Sequence, residues 1–326
     1  MISAIRRGFD AVSRNRGLVT LVWAVNLATA AILAVPLAAV LERDLQNTEL
    51  AANMMYSFDY GWWSAWHDGQ KGWTASFAPD ILGSGFAWKN VDLALRGELP
   101  ARLFAAPGEE GEEDDGGHGL DPVILGLGLL YLVVQTFLAG GLLGVFRSPE
   151  GGWTVRALLH GGGFYFGRLL RVAALALVAF AVVFALFRPF NRWVDDRALA
   201  AVSESAALAW SLSRYALIAA ALAFVHMLSS YAKVIVAVEE RSSAVLAWVS
   251  ALGFCLANLR RALAPYLVIG LLAVLLLLVW KALDASVETT GYRTQLLTLA
   301  LAQAFVLGRI ALRLSLLASQ VALYRR

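Results

Sequence analysis

The chain has 326 residues, of which 59% are hydrophobic and only 16% charged, with a mean hydropathy of +0.65. Soluble domains carry roughly 45–50% apolar and about 25% charged residues, so the composition excludes a soluble globular protein. The single cysteine, Cys255, excludes an internal disulfide framework and any multi-thiolate metal site, and its apolar setting reads as a small packed hydrophobe. The net charge of +3 conceals a polarised map. Residues 42–121 hold 15 of the 24 acids and 5 of the 27 bases, a net of −10, against +13 elsewhere. Such asymmetry in an apolar chain points to membrane orientation and not to nucleic acid.

In chain order, six apolar segments are long enough to cross a bilayer, which needs about 20 residues. They are Gly17–Leu41, Pro122–Phe146, Leu169–Phe187, Leu212–Val236, Ala262–Trp280 and Leu296–Leu316. Their unbroken Leu/Ala/Val runs lack the alternation of a membrane barrel, so the expected class is all-α: a polytopic bundle of six spans in a single membrane domain, 1–326. The first segment has a second reading. Arg14, Arg16, the run Leu18–Leu27 and then Ala28-Thr29-Ala30 would suit a cleavable signal peptide, but apolar sequence continues to Leu41, as in a retained helix.

The basic residues set the direction. Arg6, Arg7, Arg14 and Arg16 precede the first span. Arg147, Arg156, Arg168 and Arg171 lie in the second connection, Arg241, Arg260 and Arg261 in the fourth, and Arg309, Arg313, Arg325 and Arg326 toward the C-terminus. The third connection, with Arg188, Arg192 and Arg197, and the fifth, with Lys281 and Arg293, are poorer. The positive-inside rule therefore expects both termini in the cytoplasm and the protein in the cytoplasmic (inner) membrane.

Three stretches before the odd-numbered spans read alike. Residues 3–9 end in Gly8-Phe9 and lead to Arg14 and Arg16; residues 155–164 end in Gly163-Phe164 and lead to Arg168 and Arg171; residues 249–254 end in Gly253-Phe254 and lead to Arg260 and Arg261. Each suggests a surface helix in the headgroup layer, with Phe dipping into the acyl region and Arg meeting lipid phosphate, and with glycine letting the chain bend or pack closely before it enters the membrane. Three parallel repeats of "surface helix, span in, span out" would follow. The bland alternative is that basic, glycine-containing boundaries occur in any multi-span protein.

The external connection, 42–121, divides in two. Its aromatic part, 58–103, carries Trp62, Trp63, Trp66, Trp73 and Trp88, which suit an outer membrane interface better than sugar stacking. Its acidic part, 107–118, is expected to be disordered, and its carboxylates lack the spacing of a calcium cage.

Motifs for a zinc protease, a nucleotide loop, a serine hydrolase or a paired-cysteine centre are absent, so no catalytic residue, metal or cofactor is expected. The polar residues inside spans are the remaining signal, because each is costly in lipid. They are Asn26, Gln135, His226, Lys233, Gln303, Arg309 and Arg313. Arg309 and Arg313 share a helix face, and with Lys233 they either snorkel to the cytoplasmic surface or form a pocket for an anionic lipid headgroup. Intramembrane carboxylates, which a proton path would want, are not found at mid-span. His226 with Ser229 or Ser230 is the only vague acid–base candidate.

The stretch Tyr231-Ala-Lys-Val-Ile-Val-Ala-Val-Glu-Glu-Arg-Ser-Ser, the helix after it, Asn258-Leu-Arg-Arg-Ala-Leu, and the loop motifs Phe58-Asp-Tyr-Gly-Trp-Trp and Phe77-Ala-Pro-Asp-Ile-Leu-Gly resemble a broad group of uncharacterised bacterial multi-pass proteins. These are related in layout to the membrane domain attached to some glycerophosphodiester phosphodiesterases. No phosphodiesterase domain is present, so the resemblance implies a fold and no catalytic residues. Three functions are carried forward: a non-catalytic accessory or lipid-organising protein of the cell envelope, a transporter or channel for a lipid or small anion, and an intramembrane lipid-modifying enzyme. The expected partners are membrane lipids, anionic on the cytoplasmic side, with room for a membrane-protein partner and none for nucleic acid.

Overall fold

The computed structural model describes residues 2–45, 59–77, 121–147, 152–287 and 291–325. Among these there is no strand. The helices are α1 (Ile2–Arg14), α2 (Arg16–Leu45), α3 (Tyr60–Asp68), α4 (Pro122–Arg147), α5 (Val155–Leu199), α6 (Glu204–Val238), α7 (Ala244–Ala257), α8 (Leu259–Ser286) and α9 (Tyr292–Tyr324), with a 3₁₀ turn at Gly72–Ser76. Trp88, most of the aromatic stretch and the acidic run 107–118 lie outside the described residues.

Six helices, α2, α4, α5, α6, α8 and α9, are long and apolar enough to cross a membrane, and each contains one of the six expected spans. The chain is an integral membrane protein of the multi-pass helical class. Helices satisfy their backbone hydrogen bonds internally, which the hydrocarbon interior demands. Several run well past the apolar segments that announce them. With 45 residues, α5 is about 67 Å long, more than twice the hydrocarbon thickness. The third connection, expected to begin at Arg188, shrinks to residues 200–203 between α5 and α6.

Two compact units emerge from the packing. The first comprises residues 1–64, 134–170 and 230–326. Within it, each of the three expected surface segments lies against the C-terminal end of a span. Helix α1 packs on the end of α9, the start of α5 packs on the end of α4, and α7 meets the ends of α6 and α9 through Phe254, which sits against Tyr231 and Tyr324 at 5.2 and 5.1 Å. Small residues permit the close approach. A Cβ on Gly8 would lie 2.6 Å from the Ser315 carbonyl oxygen, and one on Gly141 would lie 2.5 Å from that of Leu158.

The bends differ from the sequence expectation. The chain breaks at Asn15, between α1 and α2, and at Asn258, between α7 and α8, not at the Gly-Phe pairs, which lie inside helices. Each asparagine donates its side-chain amide to a carbonyl four residues back, Asn15 to Ala11 at 2.7 Å and Asn258 to Phe254 at 3.3 Å. A side chain that competes for backbone acceptors in this way favours a helix terminus over a helix interior. The second stretch has no break: α5 runs continuously through Gly161-Gly162-Gly163. Its glycines serve packing, since a Cβ on Gly161 would sit 3.2 Å from the Gly140 carbonyl oxygen and one on Gly162 would meet the Phe137 ring at 2.7 Å.

The second unit comprises residues 65–133 and 171–229. In it residues 171–199 of α5 and 204–229 of α6 form a helical hairpin with a small core of Phe184, Phe187 and Ile218, flanked by Phe190 and Leu222. Trp193 and Trp210 meet edge-on at 5.3 Å, and Arg214 pairs with Asp195 at 2.6 Å. The helices continue beyond the apolar runs because aromatic spacing continues after the lipid-suited composition ends.

Filling the two tightest glycine contacts to backbone tests this packing. Gly8→Ala or Gly141→Ala should lower the thermal midpoint in detergent by about 5 °C, since overpacking costs about 1–3 kcal/mol. Gly163→Ala, where a Cβ meets nothing within 4 Å, should leave it unchanged or slightly raised.

Candidate functional site

Residues of the first unit build two polar layers, both starting from the stretch Tyr231–Arg241. At the basic end, α6 stops at Val238 and Glu240 takes a left-handed conformation, φ 55°. Glycine usually fills such a helix C-terminal position. Glu240 here supplies a carboxylate that pairs with Arg147, whose guanidinium also donates to the Tyr165 hydroxyl at 2.8 Å. Arg168 donates to the Glu240 carbonyl at 3.0 Å while stacking over Phe164 at 4.8 Å. The Tyr324 hydroxyl and Arg241 both bond Glu239, Arg241 also donates to Ser250 at 2.7 Å, and Arg325 donates to the Arg147 carbonyl at 2.7 Å. The ends of α4, α6 and α9, the start of α5, and α7 are thereby clasped together.

Inside the spans, polar side chains find one another. Tyr231 donates to the Ala262 carbonyl at 3.2 Å, Ser230 to Gln320 at 2.8 Å, and Gln320 to Tyr266 at 2.8 Å, tying α6, α8 and α9. Trp23 donates to Gln303 at 2.8 Å. Gln135 donates to Asn26 at 2.6 Å and accepts from Arg313 at 3.3 Å, linking α2, α4 and α9. Lys233 on α6 is half-buried. Neither cation meets a carboxylate among the described residues.

The expected lipid-facing residues divide. Arg313 does not snorkel out: helical side chains lean toward the helix N-terminus, which on α9 is the end away from Arg325, and the guanidinium reaches Gln135. Arg309 is exposed, with its guanidinium 5.7 Å from the Phe305 ring. Of the surface anchors, Arg14, Arg16, Arg171, Arg260 and Arg261 are exposed and Phe164 is largely so, whereas Phe9 is half-buried. Arg168 and Phe254, expected at lipid phosphate and acyl chains, make protein contacts in the clasp. Trp63 and Trp66, expected at an outer interface, are buried in protein; Trp62 and Trp73 are half-buried. Of the acid–base candidates, the Ser230 hydroxyl donates a hydrogen bond to the Gln320 side-chain oxygen. No group of His, Cys, Asp and Glu among the described residues could hold a metal ion.

The clasp was missed at the sequence level, although the adjoining glutamates and the basic connections were both visible. What identifies it is the left-handed Glu240, which no spacing rule reveals.

Two measurements test these assignments. Glu240→Ala and Glu240→Gly lose the same carboxylate, but glycine accepts the left-handed backbone, so the Gly variant should be the more stable by about 1 kcal/mol. Equal midpoints would contradict the assigned conformation. Burial on α7 pushes the Cys255 thiol up to about 11, so the thiol stays protonated, and unreactive, below that pH. Maleimide should not label the native protein at pH 7 and should label it fully after unfolding in dodecyl sulfate.

These features define a polytopic helical membrane protein with a clasped basic end and a polar cluster inside its spans. Compared with protein-family models, curated proteins and solved structures, the chain matches none.

Proposed function

We propose that this protein is a non-catalytic component of a bacterial cytoplasmic membrane, with both termini in the cytoplasm, that organises anionic lipid as an accessory to other envelope proteins. The observation that supports this reading is the exposed face of α7. This helix has 14 residues, about 21 Å, too short to span. It buries Ala244, Ala247, Ala251 and Cys255 and turns Val245, Leu246, Val249, Leu252 and Leu256 outward. A helix that faces protein with alanines and its surroundings with large hydrophobes suits the acyl boundary of a bilayer. It adjoins the same end of α9 as α1, whose outer side exposes Arg6, Arg7 and Arg14. An apolar seat beside a row of arginines matches a leaflet rich in anionic headgroups.

The paired polar residues favour this reading over a transporter, because side chains that satisfy one another stabilise the bundle instead of lining a water-filled path.

Lipid extracted from the detergent-purified protein should be enriched several-fold in anionic species over the source membrane. Leu246→Glu/Val249→Glu should reduce that enrichment, since a charge on a lipid-facing surface costs about 2–4 kcal/mol at depth and less near the interface. A lipid profile equal to that of the bulk membrane would overturn the proposal.

A further inference from the structure

Between Leu301 and Tyr324 every residue of α9 is buried or half-buried except Ala304, Arg309 and Arg313. Two of the three exposed positions are therefore arginines. They are four residues apart on one helix face, which places their Cβ atoms about 5–6 Å from each other. Arg309 and Arg313 stand 7 and 3 residues inside the end of the apolar run at Leu316. These are distances of about 10 and 5 Å along the helix. Both side chains lean away from that end, toward the start of α9. A charge exposed on the wall of a span is costly unless an anion or water joins it.

Each guanidinium is braced by the first unit in a way that leaves donors free. Arg313 gives one Nη donor to the Gln135 carbonyl at 3.3 Å, and Gln135 is itself fixed by its bond to Asn26 at 2.6 Å. Arg309 makes no side-chain hydrogen bond among the described residues. Its guanidinium lies over the Phe305 ring at 5.7 Å, and Phe305 stacks on Trp280 of α8 at 4.8 Å and 21°. Gly308 lets α8 come close enough for that stack, since a Cβ there would meet Leu276 at 2.9 Å. A guanidinium resting on an aromatic face keeps its in-plane N–H donors for another partner. The braces are neutral, an amide pair and two rings, so they position the arginines without cancelling their charge. No carboxylate reaches either arginine among the described residues. The spans carry no Asp or Glu at mid-span, so a second copy of the chain has none to offer there. The geometry favours one class of anion. A carboxylate fills a single fork with its two oxygens, whereas a tetrahedral phosphate presents oxygens to two neighbouring forks at once.

We infer that Arg309 and Arg313, braced by Phe305–Trp280 and by Gln135–Asn26, form a binding site for one phosphate group on the exposed wall of α9. The phosphate belongs either to a lipid headgroup drawn below its usual level or to a soluble phosphate that enters from the basic end. The inference rests on the lipid-handling reading above but on other residues: α7 and the arginines of α1 govern the general enrichment of anionic lipid, whereas this site holds a single equivalent.

The test follows the thermal midpoint of delipidated, detergent-solubilised full-length protein. It is titrated in separate arms with dioleoyl phosphatidic acid in mixed micelles, with sodium phosphate, and with dioleoyl phosphatidylcholine as the zwitterionic comparison. A saturable rise of about 5 °C at a hundredfold excess over Kd is expected with phosphatidic acid or with inorganic phosphate, but not with phosphatidylcholine. A response to phosphatidic acid alone assigns the lipid source, and a response to inorganic phosphate assigns the soluble one. Arg309→Gln and Arg313→Gln should each weaken binding about tenfold or more, because each removes a charged donor fork. Gln135→Leu keeps both charges but frees the Arg313 side chain, and should weaken binding to a smaller extent. No rise in either phosphate arm with the wild-type protein overturns the site, whether or not the variants fold. A rise that Arg309→Gln and Arg313→Gln both retain in full also overturns it, assigns the response to the arginines of α1, and leaves the enrichment governed by α7 intact. Loss of that enrichment with the phosphate response preserved would sink the broader reading and keep the site.

Discussion

The hydrocarbon interior cannot hydrogen-bond, and this constraint organises the protein. Backbone groups are satisfied by helix formation, but a polar side chain on a span must find a partner on another span. Asn26, Gln135, Arg313, Trp23, Gln303, Ser230, Gln320 and Tyr266 do so, and in doing so select which helices stand next to which. Between spans apolar contact alone is weakly directional, because lipid tails are as apolar as leucine. The polar pairs and the glycine contacts supply the direction.

At the basic end the solution changes. There water and headgroups are available, and ion pairs among Arg147, Glu239, Glu240 and Arg241 join the helix ends in partly exposed positions. Isolated exposed pairs contribute little, about 0–1 kcal/mol. This set gains from sharing partners: the Arg147 guanidinium donates to Glu240 and Tyr165 and its backbone carbonyl accepts from Arg325, so one residue fixes the relative heights of three helix ends. A common floor of this kind is what allows Asn26, Gln135 and Arg313 on α2, α4 and α9 to meet above it.

The number and class of the spans were legible because a run of about twenty apolar residues has few other uses. Helix ends were less so. Helix α5 continues past Phe187 through Arg188, Arg192 and Arg197, because the aromatic spacing Phe184, Phe187, Phe190 still offers a face to Ile218 and Leu222 after hydropathy falls. The Gly-Phe pairs marked the right neighbourhoods, but the two breaks fall at asparagines, and of the three glycines only Gly8 packs closely, a Cβ on Gly163 or Gly253 meeting nothing within 4 Å. Among the site residues, Lys233 and Arg313 stood out as charges inside spans, and Asn26 and Gln135 as polar residues in apolar runs. That Gln135 bridges Asn26 to Arg313 depends on helix neighbours more than a hundred positions apart in sequence, which no local pattern encodes.

The central claim is that polar side chains inside the spans select which helices stand together. Its most direct test is an electron cryomicroscopy structure of the protein in nanodiscs. The account predicts Gln135 bridging Asn26 to Arg313, and Gln320 standing between Ser230 and Tyr266. These side chains turned to lipid or water, with other helices as their neighbours, would contradict it.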